Sequence, residues 1–195
     1  QTTRQPTSPS GSGFNSPLAL ITAFNSATDI RSFDGTAPVT NIRNFYQLED
    51  AGAESLITFM NGMLQSTGNL LIAIQNNIGA DAVAQFKKSS PGGADSFDME
   101  IDPNSVVLVN NENATAREVS GKSVRLILTT QGWKISLAST GDPETAMAFS
   151  MISEMMAPML QIADSITQQI NDGQFTSVEQ ITAAMMSEME NMNPF

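Results

Sequence analysis

The succession of hydrophobic periods along the chain predicts an α+β fold: helices first, then an antiparallel sheet of four to five strands, then a C-terminal helical extension. Three observations carry this. Apolar residues recur at helical spacing from Leu20 to Phe86. From Ser96 the period drops to two, with Phe97, Met99 and Ile101 alternating with Asp98, Glu100 and Asp102. After Gly141 the helical spacing returns and lasts to Met192.

Ser16-Pro17 reads as an N-cap followed by a first helical residue, and Leu20, Ala23, Phe24, Ala27 and Ile30 share the face that follows. Asp34 to Pro38 breaks this helix. A second, shorter helix is expected to carry Ile42, Phe45 and Tyr46. A third starts near Ala53, is interrupted at Gly68, and continues through Leu70, Leu71, Ile74 and Ile78 to Gly79. Asp81 opens a short piece bearing Val83 and Phe86, and Ser90-Pro91-Gly92-Gly93 stops it.

In the β region, Ser105 to Val109 is rich in β-branched residues, and Asn110 to Asn113 turns the chain. Ala114 to Val119 returns, Ser120-Gly121-Lys122 turns again, and Val124 to Thr130 and Trp133 to Leu137 form a hairpin over Gln131-Gly132. Asp142-Pro143 then starts a long helix with a stripe of Met147, Met151, Met155, Ile162, Ile166 and Ile170, kinked or interrupted at Pro158. Asn171-Asp172-Gly173 ends it. Thr176 to Glu179 reads as a capping box for a last helix bearing Ile181, Met185, Met189 and Met192.

Composition removes much chemistry. The 195 residues include no histidine and no cysteine. This excludes a Ser-His-Asp triad, a Cys-His pair, a disulfide and histidine-ligated zinc. Twelve methionines and a 6% aromatic content predict an adaptable aliphatic core. The net charge is −11, with nine basic residues scattered from Arg4 to Lys134, so no nucleic-acid partner is expected. No apolar run reaches the roughly 20 residues of a membrane-spanning helix, so no membrane insertion is expected. The chain begins at Gln1, and residues 1–15 have the composition of a disordered tether. That pattern fits an exported protein, periplasmic or extracellular, from which a signal peptide has been removed; a cytoplasmic protein is the alternative. Asn113-Ala114-Thr115 matches a glycosylation sequon, which matters only in a eukaryotic secretory context.

Helices followed by a strand meander ending in Gly132-Trp133-Lys134-Ile135-Ser136-Leu137 resemble the nuclear-transport-factor-like, or ketosteroid-isomerase-like, α+β superfamily with its cystatin-like architecture. The matching pieces are Ser16 to Ile30, Asn113 to Ala116 and Val124 to Leu137, and the resemblance spans 16–138. It implies that the sheet is curved and that the N-terminal helices fill its concave face. The extension over 139–195 departs from the family, as does the lack of a histidine, on which its enzymes often rely. The extension is expected to pack on the same domain.

Two groups are candidate sites. Tyr46 and Trp133 are the single tyrosine and the single tryptophan. The resemblance implies that inward aromatics line a pocket and that a tyrosine there donates to an oxyanion, with Asp29, Asp34, Glu49 or Asp50 as the base. The plainer reading makes Trp133 core and Tyr46 a helix residue with its hydroxyl at the surface. Asp95, Asp98, Glu100 and Asp102 form the densest acidic group. Calcium needs six to eight converging oxygens, whereas alternate carboxylates on a strand lie about 7 Å apart, so a solvated strand face is expected and no metal. No catalytic motif is present, and no cofactor is called for. The expected function is that of a non-catalytic exported bacterial protein that binds a small ligand or a protein partner, or serves an accessory envelope role, as a monomer or homodimer. The alternatives are an isomerase, dehydratase or cyclase using a carboxylate base and Tyr46, and a structural module that oligomerises through its methionine-rich helices.

Overall fold

The structure, a computed structural model, describes residues 13–30, 32–89, 100–138 and 143–192, with side chains except at 143–150, 152, 153, 156 and 192. Among the described residues, five α-helices and a five-stranded, curved and unclosed sheet make an α+β fold with a C-terminal helical region. The tether at 1–12, the stop at 90–93, Phe97, Met99 and the cap Asp142 lie outside the described residues. Gly13 to Asn15 are described, and Phe14 forms a β-bridge with Trp133.

Helix α1 (Pro17–Thr28) starts as its sequence dictates, with the Ser16 hydroxyl accepting from the Ala19 amide at 3.1 Å. Leu20, Ile21 and Phe24 are fully buried. A short 3-10 turn over Ile42–Phe45 leads into strand β1 (Tyr46–Leu48). This corrects the expected second helix, because the backbone is already extended at Tyr46 (φ −106°, ψ 145°). Tyr46 pairs with Ile135, and such pairing overrides a helical pattern only a few residues long.

Helix α2 (Ala51–Asn77) is capped by Asp50, whose carboxylate accepts from the Ala53 amide at 2.8 Å. It runs without a break through Gly68, again unlike the expectation. Gly68 serves packing: a Cβ there would lie 1.8 Å from Cγ2 of Val39, so the missing side chain lets the loop before β1 lie on the helix. Gly79, at φ +120°, ends this stretch, and α3 (Ala80–Ser89) buries Ala82, Val83 and Phe86.

Strands β2 (Ile101–Leu108), β3 (Asn113–Glu118), β4 (Ser123–Thr129) and β5 (Gly132–Leu137) form the expected antiparallel meander, with an irregularity between Asp102 and Val107. The order is β1-β5-β4-β3-β2. The fifth strand makes the sheet mixed: β1 lies parallel to β5, from Tyr46↔Ile135 to Leu48↔Leu137. Helix α1 packs against β2 and β5, and the Asn25 side chain fixes it there. Its amide donates to the Ile101 carbonyl at 2.8 Å and its oxygen accepts from the Ile101 amide at 3.0 Å.

Helix α4 (Pro143–Asn171) runs on through Pro158 without the interruption that was one of the two expectations there. The ring removes one helical hydrogen bond, while α4 packs against α2 beyond the proline. Three contacts show that α2 and α4 run in the same direction. Gly62 faces Leu160, the Ser66 hydroxyl donates to Asp164 at 2.9 Å, and Asn77 donates to Asn171 at 3.1 Å. Helix α5 (Val178–Met192) packs against α3 and α4. Its cap is displaced by one residue from the expected box. Ser177 accepts from Gln180, and Gln180 reaches back to the Thr176 amide at 2.8 Å.

The α4 stripe was expected to be buried along its length. Ile162, Ile166 and Ile170 are buried, but Met151 and Met155 are 61% and 76% exposed. These residues share one face, and helix length explains the difference. Helix α5 reaches about 22 Å whereas α4 reaches about 43 Å, so it can cover only about half of that face.

Candidate functional site

The strand registers place Tyr46, Leu48, Trp133 and Ile135 on one face of the sheet with Val124, Leu126, Ala114 and Ala116. This is the face that α1 covers. Trp133 is 6% exposed, and its amide donates to the Phe14 carbonyl at 2.9 Å. The rings form a chain: Phe14 stacks on Phe45 at 5.4 Å, and Phe24 meets Phe45 and Tyr46 edge-on at 5.7 and 5.8 Å. Aromatic and aliphatic side chains thus fill the inner face around Trp133.

Tyr46 is half-buried on this face rather than a surface residue of a helix. Burial pushes its phenol well above the ordinary range, and the nearby Glu118 carboxylate adds to the rise. Glu118 is a neighbour that the sequence reading did not select. The signal was present in the alternation of Ala114, Ala116 and Glu118, which puts all three on the inner face. A phenol whose folded pKa lies above its unfolded value of about 10 is stabilising below that pH and loses this contribution as pH rises toward the folded value. In an alkaline titration, phenolate absorbance from the single tyrosine should therefore appear only together with loss of helical circular dichroism. Ionisation near pH 10, with the fold intact, would show that the ring is solvated.

The four acids expected as a base do not join Tyr46. Asp29 ends α1 and accepts from the Ser32 amide at 3.2 Å. Asp34 accepts from the Thr36 amide at 2.9 Å and hydroxyl at 2.6 Å, and that hydroxyl foremost holds its carboxyl below the usual range. Glu49 lies toward the outer face, accepting from Ser136 and standing 3.8 Å from Arg125. Asp50 caps α2. In the acidic group, Asp95 and Asp98 lie outside the described residues, and Asp102 accepts from the Asn104 amide at 2.8 Å. Among the described residues no three carboxylates converge as a metal site would require.

A different place collects polar groups around an open space. A cleft of about 500 Å³ lies between the loop at 32–36, α3 and the side of α2. Phe33, Ala80, Val83 and Ala84 supply its apolar lining, while Asp34, Gln75, Lys87 and Lys88 supply polar groups. The Lys87 ammonium donates to the Phe33 carbonyl and so ties the loop to α3. Burial lowers the Lys87 pKa, with Asp29 and Asp34 opposing that effect. Both hydroxyls on the rim are engaged, Ser32 with the Asp29 carbonyl at 3.3 Å and Thr36 with Asp34. Among the described residues, the cleft therefore presents cations, an amide and apolar surface, but no paired nucleophile and base. Lys87-Lys88 and Asp34-Gly35-Thr36 are visible in the sequence, yet their meeting depends on tertiary packing. Comparisons with protein-family models, with curated proteins and with solved structures find no match to this chain.

Proposed function

We propose that this chain is a non-catalytic binding protein of the nuclear-transport-factor-like kind, exported from a bacterial cell, that takes a small ligand in the cleft between the 32–36 loop and α3. The cleft itself carries the reading. Its volume of about 500 Å³ lies within the range of small-molecule sites, and its lining combines apolar walls with a few polar groups, as such sites do. The filled inner face supports a binding rather than a catalytic role, because the proposed bases around Tyr46 are engaged elsewhere. The nuclear-transport-factor-like likeness draws support from the curved sheet with α1 across one face.

Ligand-observed NMR with a fragment collection tests this reading. Fragments that bind the full chain should lose their signal against Ala84→Trp, which fills the cleft from an exposed helical position, and should be recovered unchanged after incubation. Binding that survives in Ala84→Trp, no fragment binding at all, or conversion of a fragment would each overturn the reading.

A further inference from the structure

We propose that this cleft recognises a monoanionic amphiphile: a carboxylate on a short acyl chain, with the headgroup at Lys88 and Gln75 and the chain against Phe33, Val83 and Ala84. The inference rests on the binding role assigned to the cleft and specifies its ligand.

Charge selects the headgroup. The chain as a whole carries −11, and its only two adjacent basic residues, Lys87 and Lys88, both line this cleft. Against them stands one lining carboxylate, Asp34, which two Thr36 donors already engage. Asp29, just outside the lining, and Asp34 both act on Lys87, which leaves Lys88 as the lining cation with no carboxylate set against it. One carboxylate meets that single ammonium, a dianion leaves charge uncompensated within a negative protein, and a ligand cation is repelled by Lys88. Hydrogen bonding selects in the same direction. Among the described residues the Gln75 amide and the Lys88 ammonium have no protein partner, and both offer N–H donors that a carboxylate accepts. Lys87 is occupied in tying the loop through the Phe33 carbonyl, so it contributes field and shape rather than the principal contact.

The apolar lining selects the tail. Val83 is 4% exposed and forms the base of the cleft, Phe33 closes the loop side, and Ala84 leaves room at the mouth. A headgroup alone would leave these surfaces wet, whereas a short hydrocarbon chain covers them.

Isothermal titration of the full chain with octanoate, octan-1-ol and octylammonium, each below its micellar concentration, separates these contributions. Octanoate should bind roughly tenfold more tightly than octanol, a preference that shrinks as salt is added. Octylammonium should bind more weakly than either. Lys88→Gln should reduce octanoate affinity to the octanol level while leaving octanol unchanged, and Ala84→Trp should abolish binding of both. Octanol binding as tightly as octanoate, or octylammonium binding best, would overturn the anion assignment while keeping the cleft as the site if Ala84→Trp still abolishes binding. Octanoate binding undiminished in Ala84→Trp would overturn both this inference and the cleft reading. Circular dichroism melts of the two variants matching that of the parent chain would show that lost binding is not lost folding.

Discussion

Trp133→Ala is expected to lower stability by about 3–5 kcal/mol, the usual cost of truncating a buried aromatic side chain. The indole is 6% exposed on the inner face of β5, beside the strand that carries Tyr46 and within the core shared by α1 and the sheet. Its backbone is held twice, by pairing with Leu128 and by the bridge to Phe14, so the strand cannot readily collapse into the space left behind. The residual cavity then adds its own cost to the lost burial. Urea unfolding followed by circular dichroism measures the change, since the substitution removes the only tryptophan. In the parent chain, emission should be blue-shifted relative to free tryptophan. A fully solvated emission maximum, or a loss below about 1 kcal/mol, would place the indole outside the core.

Gly68→Ala is expected to destabilise the chain by about 2 kcal/mol, although alanine is the better helix former by about 1 kcal/mol. The opposing effect is steric. The new Cβ would stand 1.8 Å from Cγ2 of Val39, and a β-branched side chain has few rotamers into which to retreat. The loop carrying Val39 would have to lift from α2, disturbing Gly35, which sits against the Leu71 carbonyl at φ +77°. A double-mutant cycle isolates the clash. Val39→Ala combined with Gly68→Ala should recover more than half of the loss, because the two changes share one contact. Gly68→Ala alone matching or exceeding the parent stability in thermal and urea melts would refute the close approach.

Local chemistry made much of the fold legible, and tertiary contact decided the rest. Ser16-Pro17 announced the start of α1, and the period of two between Val124 and Leu137 announced a hairpin, because caps and alternation act within a few residues. The interruptions read at Gly68 and at Pro158 failed for a common reason. Each weakens an isolated helix, yet each lies in a helix packed against another. Tyr46 was misread because a three-residue strand is too short to show a period, and its pairing partner lies far along the chain. For the candidate sites, the burial of Trp133 followed from its hairpin. The Glu118 neighbour of Tyr46 required the sheet register, and the cleft required Phe33 and Lys87, 54 positions apart, to meet.

The parallel placement of β1 beside β5 has a consequence for the order in which the chain folds. The pairings β2–β3, β3–β4 and β4–β5 join neighbours across short turns and can form early. Strand β1 has no such neighbour. Two helices and three strands intervene between it and its partner, so its docking closes a long loop and waits on the finished meander. The same event aligns α2, which follows β1, with α4, which follows β5, and allows their joint surface to zip shut in one direction. The slow step is therefore the union of the two ends of the fold rather than the making of either. Once that seam opens, an edge strand and the long helix pair come apart together.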